Sequence, residues 1–256
     1  MLLTQKQRDA FDDDGLLRLE GAIPRADANR MAERIRAFLA TEEAIRHNGE
    51  HEYLAEHPGG CQPLKRSGVF DAVLDSAVPV ALDELFGADG WKHPRHWGNP
   101  AVTNRVSEAP WELPTDGWHV DSTPDEGGRS RSVTVFIVLA ELRPRGGGTL
   151  ILSGSHRLVR EYGRHDVKNR EQRKLLGGRD PWLAELWSRQ PDPAIERRKR
   201  YLEEGSVVDG VPLRVLEVTG QPGDTYLMRA DTFHTVAPNA LDQPRMMLIK
   251  GVPVSA

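Results

Sequence analysis

From about residue 91 onward the chain is a series of short β-rich runs divided by glycine and proline, and this restricts its fold more than any other feature. The clearest run covers residues 132–140. Gly146, Gly147 and Gly148 lead into a second at 149–152, and further runs occupy 213–218, 224–228 and 246–250. β-Branched and aromatic residues suit a pleated, half-buried surface, and glycine or proline ends it. There is no βαβ alternation and no internal repeat. Several short strands separated by turn signals predict a sandwich or barrel.

The first 90 residues read differently. A helix is expected over 4–14, capped by Thr4 and stopped by Gly15. Residues 16–19 form a short strand candidate, and Pro24 opens a second helix to about residue 40. Its Met31, Ile35, Phe38 and Leu39 fall on one helical face. Residues 41–68 are polar, rich in glycine and histidine, and expected to be irregular. Residues 75–86 predict a third helix, ended by Gly87. Between the core runs lies a charged insertion, about 156–210. Trp182 with Leu186, and Leu183 with Trp187, are i, i+4 pairs that give it an apolar helical face. A long excursion between core strands is expected to decorate one end of the barrel as a lid. The expected organisation is one domain over residues 1–256, with a helical extension at 1–90 and a β-core at 91–256 that carries the insertion.

Charge and cysteine content exclude several functions. The formal net charge of −4 does not suit a nucleic-acid binder. The insertion is locally basic, with thirteen Lys or Arg against seven Asp or Glu between residues 157 and 200. No stretch of about 18 apolar residues is present, so no membrane span is expected. The first residues lack a basic stretch followed by an apolar one, so no signal peptide is expected. Cys61 is the only cysteine, which excludes an internal disulfide and points to the reducing cytoplasm.

One short stretch carries chemistry. His119 and Asp121 stand two apart, and on an extended segment residues i and i+2 project to the same side. An imidazole and a carboxylate placed so can share one metal. A further imidazole, His234, completes a two-histidine, one-carboxylate set. Such a set leaves open positions and is diagnostic of oxygen-activating iron(II), whereas a structural zinc wants four closed ligands. Arg245, eleven residues beyond His234, offers a planar fork for a carboxylate. Thr149, opening the run after three glycines, could add a hydroxyl to the same carboxylate.

Taken in order, the His119-x-Asp121 pair, the stretch from Gly146 to His156, Gly223-Asp224, His234 and Arg245 resemble the iron(II)/2-oxoglutarate-dependent dioxygenases of the phytanoyl-CoA dioxygenase-like family. The resemblance spans about residues 91–251, and the N-terminal helix–strand–helix opening is similar too. It implies a mainly β fold with helices, a double-stranded β-helix or jelly roll with the triad at its open end. It implies that His119, Asp121 and His234 bind Fe(II), and that Arg245 holds the far carboxylate of 2-oxoglutarate. Thr149 matches a threonine that shares this carboxylate in relatives resembling taurine dioxygenase. Several relatives place a serine two residues after the distal histidine, whereas Val236 stands here. Asp121 occupies the ligand position that the halogenases of the superfamily give up, so hydroxylation or a related oxidation is implied. With O2 as the second co-substrate, 2-oxoglutarate would yield succinate and CO2 while an unactivated C–H bond of a small molecule is oxidised.

Other residues carry weaker readings. Asn104, on an expected core strand, is a candidate contact for 2-oxoglutarate or substrate. His96 and Trp97, with His93 just before them, are candidates to face the substrate. His156 reads as part of a strand-ending turn and not as a ligand. His47, His51, His57 and Cys61 do not have the spacing of a zinc finger and read as a solvated or lid-like loop. Two alternatives remain open on sequence grounds. One is a cupin-like iron dioxygenase that uses no 2-oxoglutarate, which would make Arg245 dispensable. The other is a catalytically silent jelly-roll binding protein.

Overall fold

Along residues 132–138 successive side chains enter two different cores. Val133, Val135 and Ile137 pack with the N-terminal helices, while Phe136 and Val138 pack against a second sheet. The two-residue period of a strand produces this division. The structure, a computed structural model, describes residues 2–41, 57–105, 111–164 and 167–255. Its strands in chain order are β1 (Leu16–Leu19), β2 (Asn99–Thr103), β3 (Ser132–Val138), β4 (Thr149–Ser153), β5 (Ser206–Val208), β6 (Val211–Glu217), β7 (Thr225–Arg229), β8 (His234–Val236) and β9 (Arg245–Pro253).

The strands form two antiparallel sheets, ordered β1-β7-β3-β9-β2 and β5-β6-β4-β8. Ala101, Phe136, Met228 and Met247 of the first sheet meet Ile151 of the second, and Val218 just beyond β6, in a shared interior. This is the double-stranded β-helix expected from the resemblance. Residues that share the strand parity of these core residues point to the same interior. Thr103 and Arg245 do so in the first sheet, Thr149 and His234 in the second.

The outer face of the first sheet is covered by the N-terminal helices α1 (Gln5–Asp13), α2 (Arg25–Leu39), α3 (Gln62–Arg66) and α4 (Ala77–Phe86). Thr4 caps α1 in a capping box with Gln7, and Gly15 follows at φ +77°. Met31, Ile35 and Leu39 of α2 are buried as expected, and Phe38 is half-buried at the edge of that core. Within residues 41–68, expected to be irregular, Leu64 is buried and anchors the short helix α3. His47 and His51 lie outside the described residues. Cys61 is buried, and His57 Nδ1 approaches Pro100 O at 3.4 Å.

The insertion supplies the helices α5 (Ser155–Tyr162), α6 (Asn169–Gly177) and α7 (Pro181–Leu186). They cover the outer face of the second sheet, where Trp182, Leu183 and Leu186 pack with Leu150, Leu152 and Val215. The reason is strand parity: Leu150 and Leu152 point away from the interior, and an uncovered sheet face of such residues would be exposed apolar surface. No described helix is long and apolar enough to cross a membrane.

Candidate metal centre

His119 and His234 are brought together by the backbone itself. Each donates its N–H to the other's carbonyl at 2.9 Å, forming an isolated antiparallel bridge. Asp121 continues the segment, its N–H bonded to Ala230 O at 2.8 Å. The His119 stretch is thus a single bridge and not a full strand, yet the two-residue spacing operates. Trp118 and Val120 turn into the core under the insertion, while His119 and Asp121 turn the other way.

The three side chains converge. His119 Nε2 lies 3.7 Å from Asp121 Oδ1, and His234 Nε2 lies 3.6 Å from the same oxygen. One ligand atom from each residue falls within 4.8 Å of the others. The imidazole centroids are 4.2 Å apart. Each histidine uses its Nδ1 on a backbone carbonyl, Gly117 O at 2.8 Å for His119 and Thr232 O at 3.0 Å for His234. A carbonyl can only accept, so Nδ1 of each ring is the donor there and Nε2 is the atom turned toward Asp121. Burial pushes the His234 imidazole well below its ordinary pKa, which keeps it neutral as a ligand must be. Thr134 Oγ1 donates to Asp121 Oδ2 at 2.5 Å and leaves Oδ1 for a metal. Outer hydrogen bonds that fix tautomer and carboxylate orientation are what a transition-metal site requires, so the residues present fit a divalent metal.

Arg245 opens β9 and is 1% exposed. Its Nη1 donates to Gly147 O at 3.0 Å, so its head lies at the start of β4, where Thr149 stands two residues on. Across the sheet Arg245 pairs with Thr103. The Oγ1 atoms of Thr149 and Thr103 are both buried with no hydrogen-bond partner among the described residues. A buried guanidinium flanked by two orphan hydroxyls fits a guest carboxylate. Val236, which stands where several relatives have serine, is the cross-strand partner of Thr149.

The remaining sequence candidates fall elsewhere. Asn104 follows the last residue of β2 and is half-buried. His96 is half-buried in a bend ahead of β2. Trp97 is 1% exposed in the core on the outer face of the first sheet, 6.4 Å from the Trp91 ring, and the structure does not bring it to the triad. His156 is the second residue of α5 and is buried, with Nε2 3.0 Å from Asp12 O; burial and the nearby Arg229 push its pKa down to about 3. Thr134 was missed, although its position between Val133 and Val135 in a clear β-run marks a polar group on the inward face.

Comparison with known proteins bears on the whole of this arrangement. The family model for phytanoyl-CoA dioxygenase matches residues 11–247. The chain belongs to the phytanoyl-CoA dioxygenase family. No curated protein matches it by sequence. Solved structures share the family's fold at low identity. EvdO2 from Micromonospora carbonacea var. aurantiaca, complexed with 2-oxoglutarate, aligns with a TM-score of 0.57 and 15% identity over 99% of this chain and 91% of that one. HygX from Streptomyces hygroscopicus, with nickel and 2-oxoglutarate bound, gives 0.54 and 14% over 98% and 87%. The epimerase SnoN, in complex with Fe3+, alpha ketoglutarate and nogalamycin RO, gives 0.53 and 15% over 98% and 83%. At these identities the likeness establishes the fold of the family and leaves the chemistry to the residues described above.

Proposed function

We propose that this chain is an Fe(II)/2-oxoglutarate-dependent oxygenase that hydroxylates an unactivated C–H bond of a small molecule. One observation carries the reading: the His119 and His234 Nε2 atoms both lie within 3.7 Å of Asp121 Oδ1, in a family of dioxygenases. Iron held there with 2-oxoglutarate and O2 would supply the oxidising power, with release of succinate and CO2.

The chain's own residues do the rest. The His119–His234 bridge fixes the spacing of two ligands before any metal arrives, so little reorganisation is left to binding. Thr134 orients the third. Arg245 is assigned to the far carboxylate of 2-oxoglutarate, with Thr149 and Thr103 as hydroxyl donors. The inward side chains of Phe136, Ile151 and Met247 form an apolar interior wall, with the Phe136 ring 6.4 Å from that of His234. Asn104 and His96 are kept as candidate contacts to co-substrate or substrate. Solved structures of similar fold include an epimerase and a carbocyclase, both non-heme and alpha ketoglutarate dependent.

Calorimetry tests the reading. Titration of 2-oxoglutarate into the chain loaded with nickel(II) should give one site per chain, and the metal-free chain should show much weaker binding. Equal affinity with and without metal would contradict chelation at the triad and favour an enzyme or binding protein that does not use 2-oxoglutarate.

A further inference from the structure

The peptide between His119 and Asp121 is held from behind by the insertion. His119 spends its backbone groups on His234. The next residue, Val120, directs its N–H and C=O to the opposite edge, as alternate residues of an extended segment do. Among the described residues no strand pairs there. Instead Asn169, the first residue of α6, presents its side-chain amide: Oδ1 accepts from Val120 N at 2.9 Å, and Nδ2 donates to Val120 O at 3.2 Å. The carboxamide stands in for a neighbouring peptide. One turn further on, Arg173 Nη1 donates to Trp118 O, and Nη2 reaches Asp116 Oδ1 at 3.4 Å. Asp116 in turn accepts from Gly117 N at 2.9 Å.

We propose that Asn169 and Arg173 are positioning residues that lock the His119–Asp121 segment into ligating register. The proposal rests on the reading of the triad as a metal centre. The physical case is that, among the described residues, strand pairing holds one edge of this segment. Asp121 is an exposed residue whose side-chain orientation depends on Thr134 and on the backbone beneath it. If Asn169 lets go, the Val120 peptide can rotate, and the carboxylate and imidazole leave their common point. Backbone groups facing away from the sheet need a partner, and a helix side chain supplies it here. Asn169 and Arg173 lie i, i+4 on α6, so one helical face grips both sides of His119.

Cobalt(II) alone, titrated into the metal-free full chain and followed by visible absorbance, reads the geometry directly. Thermal melting of the same samples reads folding. Asn169→Ala should stay folded and bind cobalt about tenfold more weakly, the usual order for an outer-shell partner of a metal ligand. Asn169→Asp keeps the acceptor for Val120 N and loses the donor to Val120 O, so it should fall between the two. Arg179→Ala serves as control: Arg179 pairs with Asp209 at 2.7 Å in the same insertion, and its loss should leave cobalt affinity unchanged. Should Asn169→Ala fail to fold, Asn169→Asp and Arg173→Ala decide on the same terms. A folded Asn169→Ala protein with wild-type cobalt affinity overturns the clamp alone. Equal weakening in Arg179→Ala also overturns it, since the insertion then acts through general stability. A wild-type chain that takes no cobalt overturns the metal-centre reading, and the clamp with it.

Discussion

His119 and His234 exchange both backbone hydrogen bonds at 2.9 Å, although 115 positions separate them in the sequence. The bridge makes the two imidazoles neighbours without help from a metal. It predicts that removing one ligand spares the fold. Asp121→Ala should abolish metal-dependent turnover and leave the metal-free chain folded, with a melting temperature lowered by the loss of about 1 kcal/mol for the hydrogen bond from the buried Thr134 hydroxyl. Retained turnover, measured as succinate release, would sink the triad assignment.

Arg245→Ala should lower 2-oxoglutarate affinity of the metal-loaded chain about a hundredfold, corresponding to about 3 kcal/mol for hydrogen bonds to a charged group. Arg245→Lys should recover part of it, since a point charge replaces a planar fork. Calorimetry decides: an unchanged dissociation constant in Arg245→Ala would remove the residue from the co-substrate site and favour the cupin-like alternative.

Much of this was legible in the sequence, for reasons that can be named. The His119–Asp121 spacing, His234 and Arg245 are separated along the chain, but each sits beside a short β-run or a glycine turn that fixes its direction. The β-rich run at 132–140 marked a core strand, while the division of its side chains between two cores is a property of the folded sheets. What stayed hidden are contacts that cross the chain. Thr134 reaches back 13 residues to Asp121, and Asn169 and Arg173 reach back 49 and 55 to the segment of His119. No local pattern marks an asparagine as the partner of a distant peptide. Strand β8, three residues long, was too short to read. The length of the insertion suggested a lid. The packing of its helices is set by Leu150 and Leu152, whose outward faces need cover. Trp97, a candidate for the substrate, is claimed by the other core.

The insertion should therefore behave as part of the core. Trp182 is 5% exposed and packs with Tyr201 at 4.7 Å between ring centroids. Trp182→Ala should destabilise the chain by about 3–5 kcal/mol in urea, whereas Val207→Ala, at a site 64% exposed, should change it by about 0.5 kcal/mol or less. Similar midpoints for both variants would mean that the insertion is a detachable lid.

His156 gives the fold a pH dependence with a defined sign. Its folded pKa, down to about 3, lies below the ordinary value of 6.5. The unfolded chain therefore binds a proton across that window and the folded chain does not. The stability it contributes is complete above pH 6.5 and is lost as pH falls toward 3. Between pH 7 and pH 5 this single group should cost about 2 kcal/mol. His156→Gln keeps a donor for Asp12 O and removes the titration, so its urea stability should fall less over the same interval. Parallel losses in both proteins would contradict the assignment.

The most direct test of the central claim is anaerobic absorbance. Iron(II) is added to the metal-free chain, and 2-oxoglutarate follows. A weak visible charge-transfer band that requires both additions is the predicted result, because it reports bidentate chelation at iron held by His119, Asp121 and His234. Iron binding to the folded chain with no band on addition of 2-oxoglutarate would contradict the account and strip Arg245 of its role.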